Sequence, residues 1–286
     1  MSTEKLTERL ESSELVVFPT CPFPLPDDND RQFLFDQEVA SGGHKNISYD
    51  PLTTRLGGYR SPTPQAESRM QSILAGFSQT AIRWLSAHLS DYAKSWEIGR
   101  ASFRPEEEAT RPLRFTARND LLHIDNFPTR PTHGRRLLRL FVNLNPSEPR
   151  VWVTSESFPE LMTRFATELH IPTRTIEEWC RPASSWLRLW NRDQTGGSHY
   201  DSLMLRLHHA MKSSEKFQDR ARRKVWSLAP GSMWLLFADG LAHGVLRGQF
   251  ALEHSFYVPV EALRQPERSP LRILEQIGRE QRRRAG

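Results

Sequence analysis

Cysteine is nearly missing from this chain: Cys21 and Cys180 are the only two in 286 residues. A single distant pair is no disulfide framework, which points to a reducing compartment. No apolar run approaches the ~18 residues that a membrane-spanning helix needs. The first residues, MSTEKLTERLESSELVV, carry charges where a secretory signal has its apolar centre, so no export and a cytoplasmic location are expected. The net charge is +5 and the pI about 9.5, yet the basic residues are scattered, apart from Arg282-Arg283-Arg284. No zinc-finger, RNA-recognition or KH signature accompanies them, and no nucleic-acid partner is expected. Internal repeats are also missing.

Apolar and aromatic residues, by contrast, are ample for a core, with 8 Trp and 15 Phe. Residues 1–65 are rich in Pro, Asp and Ser and read as irregular chain, with a short strand at Gln32–Phe35. From Ala66 to Trp96, apolar residues recur every three or four positions (Met70, Ile73, Phe77, Ala81, Leu85), the mark of amphipathic helix. Strand patterns then follow at Leu113–Thr116, Leu121–Ile124, Arg136–Asn143 and Val151–Thr154. A helical stretch spans about 156–222. Strands resume at Val225–Leu228, Ser232–Phe237, His243–Leu246 and Phe250–Val258, and a weak helix lies near Leu271–Ile277. This order predicts an α+β protein with a double-stranded β-helix (jelly-roll) core. Residues 1–100 would form an N-terminal segment packed on that core, 101–262 the core with its helical insertion, and 263–286 a basic tail.

The chemistry concentrates around His123-Ile124-Asp125. On extended chain, residues i and i+2 point to one face, so an imidazole and a carboxylate can meet at one point. His243 follows a turn at Asp239-Gly240 at the start of a later strand. In a jelly roll such a strand faces the earlier one. His123, Asp125 and His243 thus make a two-His-one-carboxylate facial triad for Fe(II). The open positions suit 2-oxoglutarate and O₂. The remaining histidines, His208 among them, read as helical or surface residues.

The distal carboxylate of a 2-oxoacid needs a cation. Many jelly-roll oxygenases carry an Arg about ten residues after the second His, but Gln249–Ser255 contains none. Arg139 lies in the apolar strand Leu137-Leu138-Arg139-Leu140-Phe141. Such a guanidinium needs a carboxylate partner, either the co-substrate or a protein Asp or Glu, unless it turns to solvent. Asn143, four residues on, is a further candidate on the same face, and Arg104 a second cation. Arg111, Arg114, Arg118, Arg130 and Arg135 are candidates for the mouth of the site.

Six segments reach further: NISYDP at 46–51, SFRP at 102–105, HIDNFPTRP at 123–131, GRRLLRLFVNLNP at 134–146, YDSLMLRLH at 200–208 and GQFALEHSFYVP at 248–259. Together they resemble the bacterial Kdo hydroxylases, where Kdo is 3-deoxy-D-manno-oct-2-ulosonic acid. The resemblance implies an Fe(II)- and 2-oxoglutarate-dependent dioxygenase that hydroxylates the 3-deoxy carbon of Kdo on a lipid A precursor to give Ko. It also implies iron on His123, Asp125 and His243, and 2-oxoglutarate on Arg139 with Arg104. A basic protein acting on so anionic a lipid is expected to touch the inner-membrane surface. The alternatives are a hydroxylase of another anionic sugar or lipid, a different metal enzyme on the same barrel, or a binder without catalysis.

Overall fold

The computed structural model describes residues 2–40, 45–110, 115–126, 129–182 and 197–285. In chain order the N-terminal part runs α1 (Thr3–Glu11), β1 (Val16–Phe18), α2 (Asp28–Phe35), β2 (Ile47–Tyr49), β3 (Leu56–Gly57), α3 (Pro64–His88) and α4 (Ser90–Ala93). Next come β4 (Glu97–Arg104), β5 (Arg136–Asn143) and β6 (Arg150–Ser157). Helices α5 (Phe158–Leu169), α6 (Ile176–Cys180), α7 (His199–Ser213) and α8 (Glu215–Arg220) follow. The chain closes with β7 (Lys224–Leu228), β8 (Met233–Phe237), β9 (Leu241–Arg247), β10 (Ala251–Val258) and α9 (Pro270–Ala285).

The strands form a seven-stranded sheet, in the order β1-β8-β5-β10-β4-β2-β3, and a three-stranded sheet, β7-β6-β9, all pairings antiparallel. This is the expected jelly roll. Alternation along the strands divides the apolar residues between two cores. On the large sheet Leu138, Leu140 and Val142 of β5 and Leu252 and Phe256 of β10 join the cluster that holds Met70, Leu74, Phe77 and Leu85 of α3. The opposite face carries Phe141 of β5 and Trp234 and Leu236 of β8, which meet Trp152 of β6 and Val245 of β9 between the sheets. Helix α3 begins where Thr63 caps the Ala66 N–H and Pro64 opens the first turn. His254 of β10 points to this helix and bonds Ser78 Oγ at 2.8 Å, a structural role.

Three local expectations are corrected. Gln32–Phe35 is the end of helix α2 and not a strand: Asp27 caps the Asp30 N–H, and Asp28 and Asp30 sit in the first turn. Of the strand expected at Leu113–Thr116, residues 113 and 114 lie outside the described chain, and Phe115–Ala117 is a 3₁₀ turn. Leu121–Ile124 makes one antiparallel bridge, His123 with His243, and no ladder. Strand β4 escaped the sequence reading, because Glu97–Arg104 alternates weakly. Residues 1–100 supply β1–β3 to the large sheet as well as helices.

Candidate metal centre

The HxD segment runs along the free edge of β9. His123 N–H donates to His243 O at 2.9 Å and His243 N–H returns a bond to His123 O at 2.8 Å, while Val245 N–H reaches Asn119 O at 2.7 Å. Asp125 N–H then crosses to Ala238 O at 2.8 Å. These backbone bonds fix both ligand-bearing segments before any side chain is considered.

Between the sheets the Nε2 atoms of His123 and His243 lie 3.6 and 3.7 Å from Asp125 Oδ1. One donor atom from each of the three residues falls within 4.8 Å of the others, and all three side chains are buried. Each histidine turns Nδ1 to a backbone carbonyl, Leu121 O at 2.7 Å and Leu241 O at 2.9 Å. That leaves Nε2 as the inward electron pair, the usual outer-shell arrangement of metal-binding imidazoles. Trp152 stacks on His243, with ring centroids 5.5 Å apart and planes 10° apart. Two nitrogens and one oxygen on one side of a cavity fit Fe(II).

The other carboxylate oxygen of Asp125, Oδ2, accepts a short bond from Arg139 Nη1. Burial alone would raise the Asp125 carboxyl, but Arg139 and the two imidazoles hold it well below the ordinary range. From Arg139 a chain of alternating charge crosses the large sheet. Arg139 Nη2 donates to Glu253 at 2.6 Å, and Arg104 Nε donates to the same oxygen at 2.7 Å. Arg104 also meets Glu108 at 3.3 Å, and Arg150 donates to Glu108 at 3.0 Å and to Gly248 O at 2.8 Å. Glu253 stays ionised, its burial outweighed by Arg104 and Arg139, with its pKa near 2. Gly248 has φ +133°, and a Cβ there would come within 2.5 Å of Arg150 Cγ, so only glycine lets the arginine pass. Glu253 stands ten residues after His243, in a stretch that contains no arginine. Here the guanidiniums come from β4, β5 and β6, and β10 supplies the carboxylate between two of them.

Arg104, Arg139, His123, Asp125 and His243 all line one cavity. Asn143 does not. It sits at the end of β5, beyond the β8 pairing, where its amide donates to Leu228 O at 2.9 Å and Glu148 O at 3.0 Å. Its alternation with Arg139 was read correctly, but the strand end carries it to the turn before β6. Arg118, Arg130 and Arg135 pair with Asp120, Asp50 and Glu97 and do not line the cavity; Arg111 and Arg114 lie outside the described residues.

Sequence reasoning missed the wall supplied by α7. His208 and Lys212, one turn apart, both line the cavity. His208 Nδ1 bonds Ile124 O at 2.7 Å, and its ring stands edge-on to His123 at 5.2 Å. Burial, then the neighbouring His123, depress His208 to about 3, so it is neutral. The available signal was polar residues at helical spacing, Asp201, His208 and Lys212, inside an otherwise apolar pattern.

Asp201 braces this wall against the loop that follows the HxD segment. Its carboxylate accepts from Thr132 N at 2.7 Å, Thr132 Oγ1 at 3.1 Å and His133 N at 3.2 Å, and also caps α7 through Ser198. Asp201→Ala strands these buried donors and is expected to lower stability by about 2–3 kcal/mol, read from the urea unfolding midpoint. Metal affinity should fall with it, because the segment bearing His123 and Asp125 loses its downstream anchor. An unchanged midpoint would show that the brace carries no load.

A jelly roll with two histidines and an aspartate converging between its sheets defines the non-haem iron oxygenase class. Within that class the chain belongs to the 3-deoxy-D-manno-oct-2-ulosonic acid (Kdo) hydroxylase family, whose sequence profile matches residues 1–281. The fold superposes, with a TM-score of 0.84, on the apo structure of the Kdo hydroxylase KdoO, a non-haem Fe(II) α-ketoglutarate-dependent dioxygenase. That protein is 32% identical, and the match covers 96% of this chain and 89% of that one. KdoO in complex with succinate and Fe(III) matches with TM-score 0.84 and 31% identity, and in complex with α-ketoglutarate and Fe(III) with 0.83 and 32%, at the same coverage. No curated protein sequence gives a match.

Proposed function

We propose that this Fe(II)- and 2-oxoglutarate-dependent hydroxylase oxidises the 3-deoxy carbon of Kdo on a lipid A precursor, giving Ko, with succinate and CO₂ as co-products. The observation that carries the reading is the convergence of His123, Asp125 and His243 opposite a wall of arginines in one cavity. His123 and His243 would hold iron through Nε2 and Asp125 through Oδ1. The bound metal supplies the means to couple decarboxylation of the 2-oxoacid to oxidation of a C–H bond.

Arg139 and Arg104 orient the co-substrate's distal carboxylate. A guanidinium has five donors, so this contact adds to the pairs with Glu253 and leaves them intact. Arg139 also steers Asp125, keeping its Oδ1 toward the imidazoles. Trp152 and Phe141 close the cavity sides with apolar surface and limit water at the reacting centre.

No helix among the described residues is long and apolar enough to cross a membrane. The proposal includes peripheral contact at the cytoplasmic face of the inner membrane, favoured by exposed Arg282 and Arg283 on α9 at ~1 kcal/mol each. The test is mass spectrometry of lipid A from cells with and without the protein. One added oxygen on a Kdo unit is expected only with it, and purified protein should release succinate only when 2-oxoglutarate is present. Oxygen added to a different anionic sugar would redirect the reading.

A further inference from the structure

Arginine and lysine side chains donate hydrogen bonds and accept none, so the cationic lining of the cavity suits carboxylates. A sugar also brings hydroxyl hydrogens, which need acceptors. Asn119 Oδ1 already accepts from Lys45 at 3.2 Å. Two further acceptors lie on the side where α7 meets the HxD segment. His208 Nδ1–H donates to Ile124 O at 2.7 Å, because a carbonyl can only accept. The ring is neutral, so that bond settles its tautomer and leaves Nε2 with a lone pair. Among the described residues Nε2 has no hydrogen-bond partner. Asn126 is oriented in a similar way. Its Nδ2 donates to Asp201 O at 3.4 Å, and that carbonyl would repel Oδ1, so the amide oxygen is turned elsewhere. Both side chains are half-buried, and both line the cavity. Each is held from behind by a backbone carbonyl across the same seam. The His208 ring stands edge-on to His123 at 5.2 Å, so a group bonded to it lies beside the metal ligands.

We propose that His208 selects the sugar: its Nε2 accepts the hydroxyl on C4, the carbon beside the deoxy position, and Asn126 Oδ1 accepts a second hydroxyl of the same substrate. This rests on the hydroxylase reading above. An ionised carboxylate has no hydrogen to give, so a bare imidazole lone pair takes an O–H and turns away the 2-oxoacid. Holding the hydroxyl one carbon from the site of oxidation fixes which C–H bond faces the metal ligands. A sugar without that hydroxyl leaves the acceptor desolvated and unpaired, which is a stronger source of rejection than a missing apolar contact.

The test crosses a change in the sugar with a change in the protein. The probes are the methyl glycoside of Kdo, whose only hydroxyl next to the deoxy carbon is the one on C4, and its 4-deoxy analogue. Binding to the full-length protein loaded with Co(II) and 2-oxoglutarate is measured by calorimetry. Wild-type should hold the Kdo glycoside about 10-fold more tightly than the analogue, the worth of one well-placed hydrogen bond. The informative variant is His208→Asn, whose amide keeps a donor at the Nδ1 position for Ile124 O and has nothing at the Nε2 position. It should bind the two glycosides within about twofold of each other, while its affinities for Co(II) and 2-oxoglutarate stay within about threefold of wild-type. His208→Gln, which returns an amide to the Nε2 position, should restore part of the preference, and Asn126→Ala should weaken both glycosides alike. His208→Asn that discriminates as wild-type does overturns the proposal. So does a variant whose main loss is Co(II) affinity, which would reduce His208 to a brace for the HxD segment. Should His208→Asn fail to fold, the wild-type comparison decides, and equal binding of the two glycosides sinks this inference alone. Wild-type protein that binds neither would sink the hydroxylase reading itself.

Discussion

His243→Ala is expected to abolish hydroxylation, with a loss on the order of a thousandfold or more, about 4 kcal/mol of barrier. The protein should remain folded. The bridge that holds β9 to the HxD segment is made by backbone N–H and C=O groups of His123 and His243, which alanine retains. The side chain contributes Nε2 to the donor set and a face against Trp152. Its removal leaves one imidazole and one carboxylate, too few to define the facial geometry. Titration with Co(II), followed by its visible absorption, separates this outcome from trivial unfolding. The variant should show a native circular dichroism spectrum and no tight Co(II) site. Normal metal affinity in His243→Ala would mean that the iron is held elsewhere, and the assignment of the centre would fall.

Much of this centre was legible because its signals are local or nearly so. The i, i+2 spacing of His123 and Asp125 needs only extended chain, and the segment is extended even though it makes one bridge and no ladder. Arg139 announced itself as a charge inside a run of leucines, and the structure confirms both burial and carboxylate partners. That Glu253 is one of them was not legible, since it reaches Arg139 only through the pairing of β5 with β10. The α7 wall was hidden for a similar reason. His208 and Lys212 look like ordinary polar positions until the helix is laid over Ile124 and the cavity. Asn143 shows the converse error, where correct alternation was carried past the point at which the strand leaves the site. Strand β2, inside the irregular N-terminal stretch, became part of the sheet through pairing with β4, a non-local event that composition does not reveal.

Arg139→Met is expected to cause the largest stability loss of any single change at the site, about 3–5 kcal/mol. The side chain is buried, and its partners are buried with it: Asp125 and Glu253 are 8% and 5% exposed. Methionine preserves the bulk against Phe141 but leaves Asp125 without its guanidinium and Glu253 with Arg104 and the Asn46 amide. The pH dependence gives this loss a signature that a packing defect would lack. Glu253 has its folded pKa lowered from 4.5 to about 2, and Asp125 is also lowered. A depressed carboxyl binds fewer protons when folded than when unfolded, so it contributes stability above its unfolded pKa, and that contribution drains away as pH falls to the folded value. For Glu253 the window is therefore about pH 4.5 down to 2, and the amount at stake is roughly 3 kcal/mol. Wild-type protein, freed of metal so that Asp125 has no other cation, should lose stability steeply across this window in urea titrations. Arg139→Met should begin lower and fall somewhat less, because Asp125 loses the guanidinium beside it while Glu253 loses only the smaller of its two cationic neighbours and keeps Arg104. Parallel pH curves for the two proteins would mean that the guanidinium does not hold these carboxylates in solution, and the oriented Asp125 on which the metal centre depends would need another source.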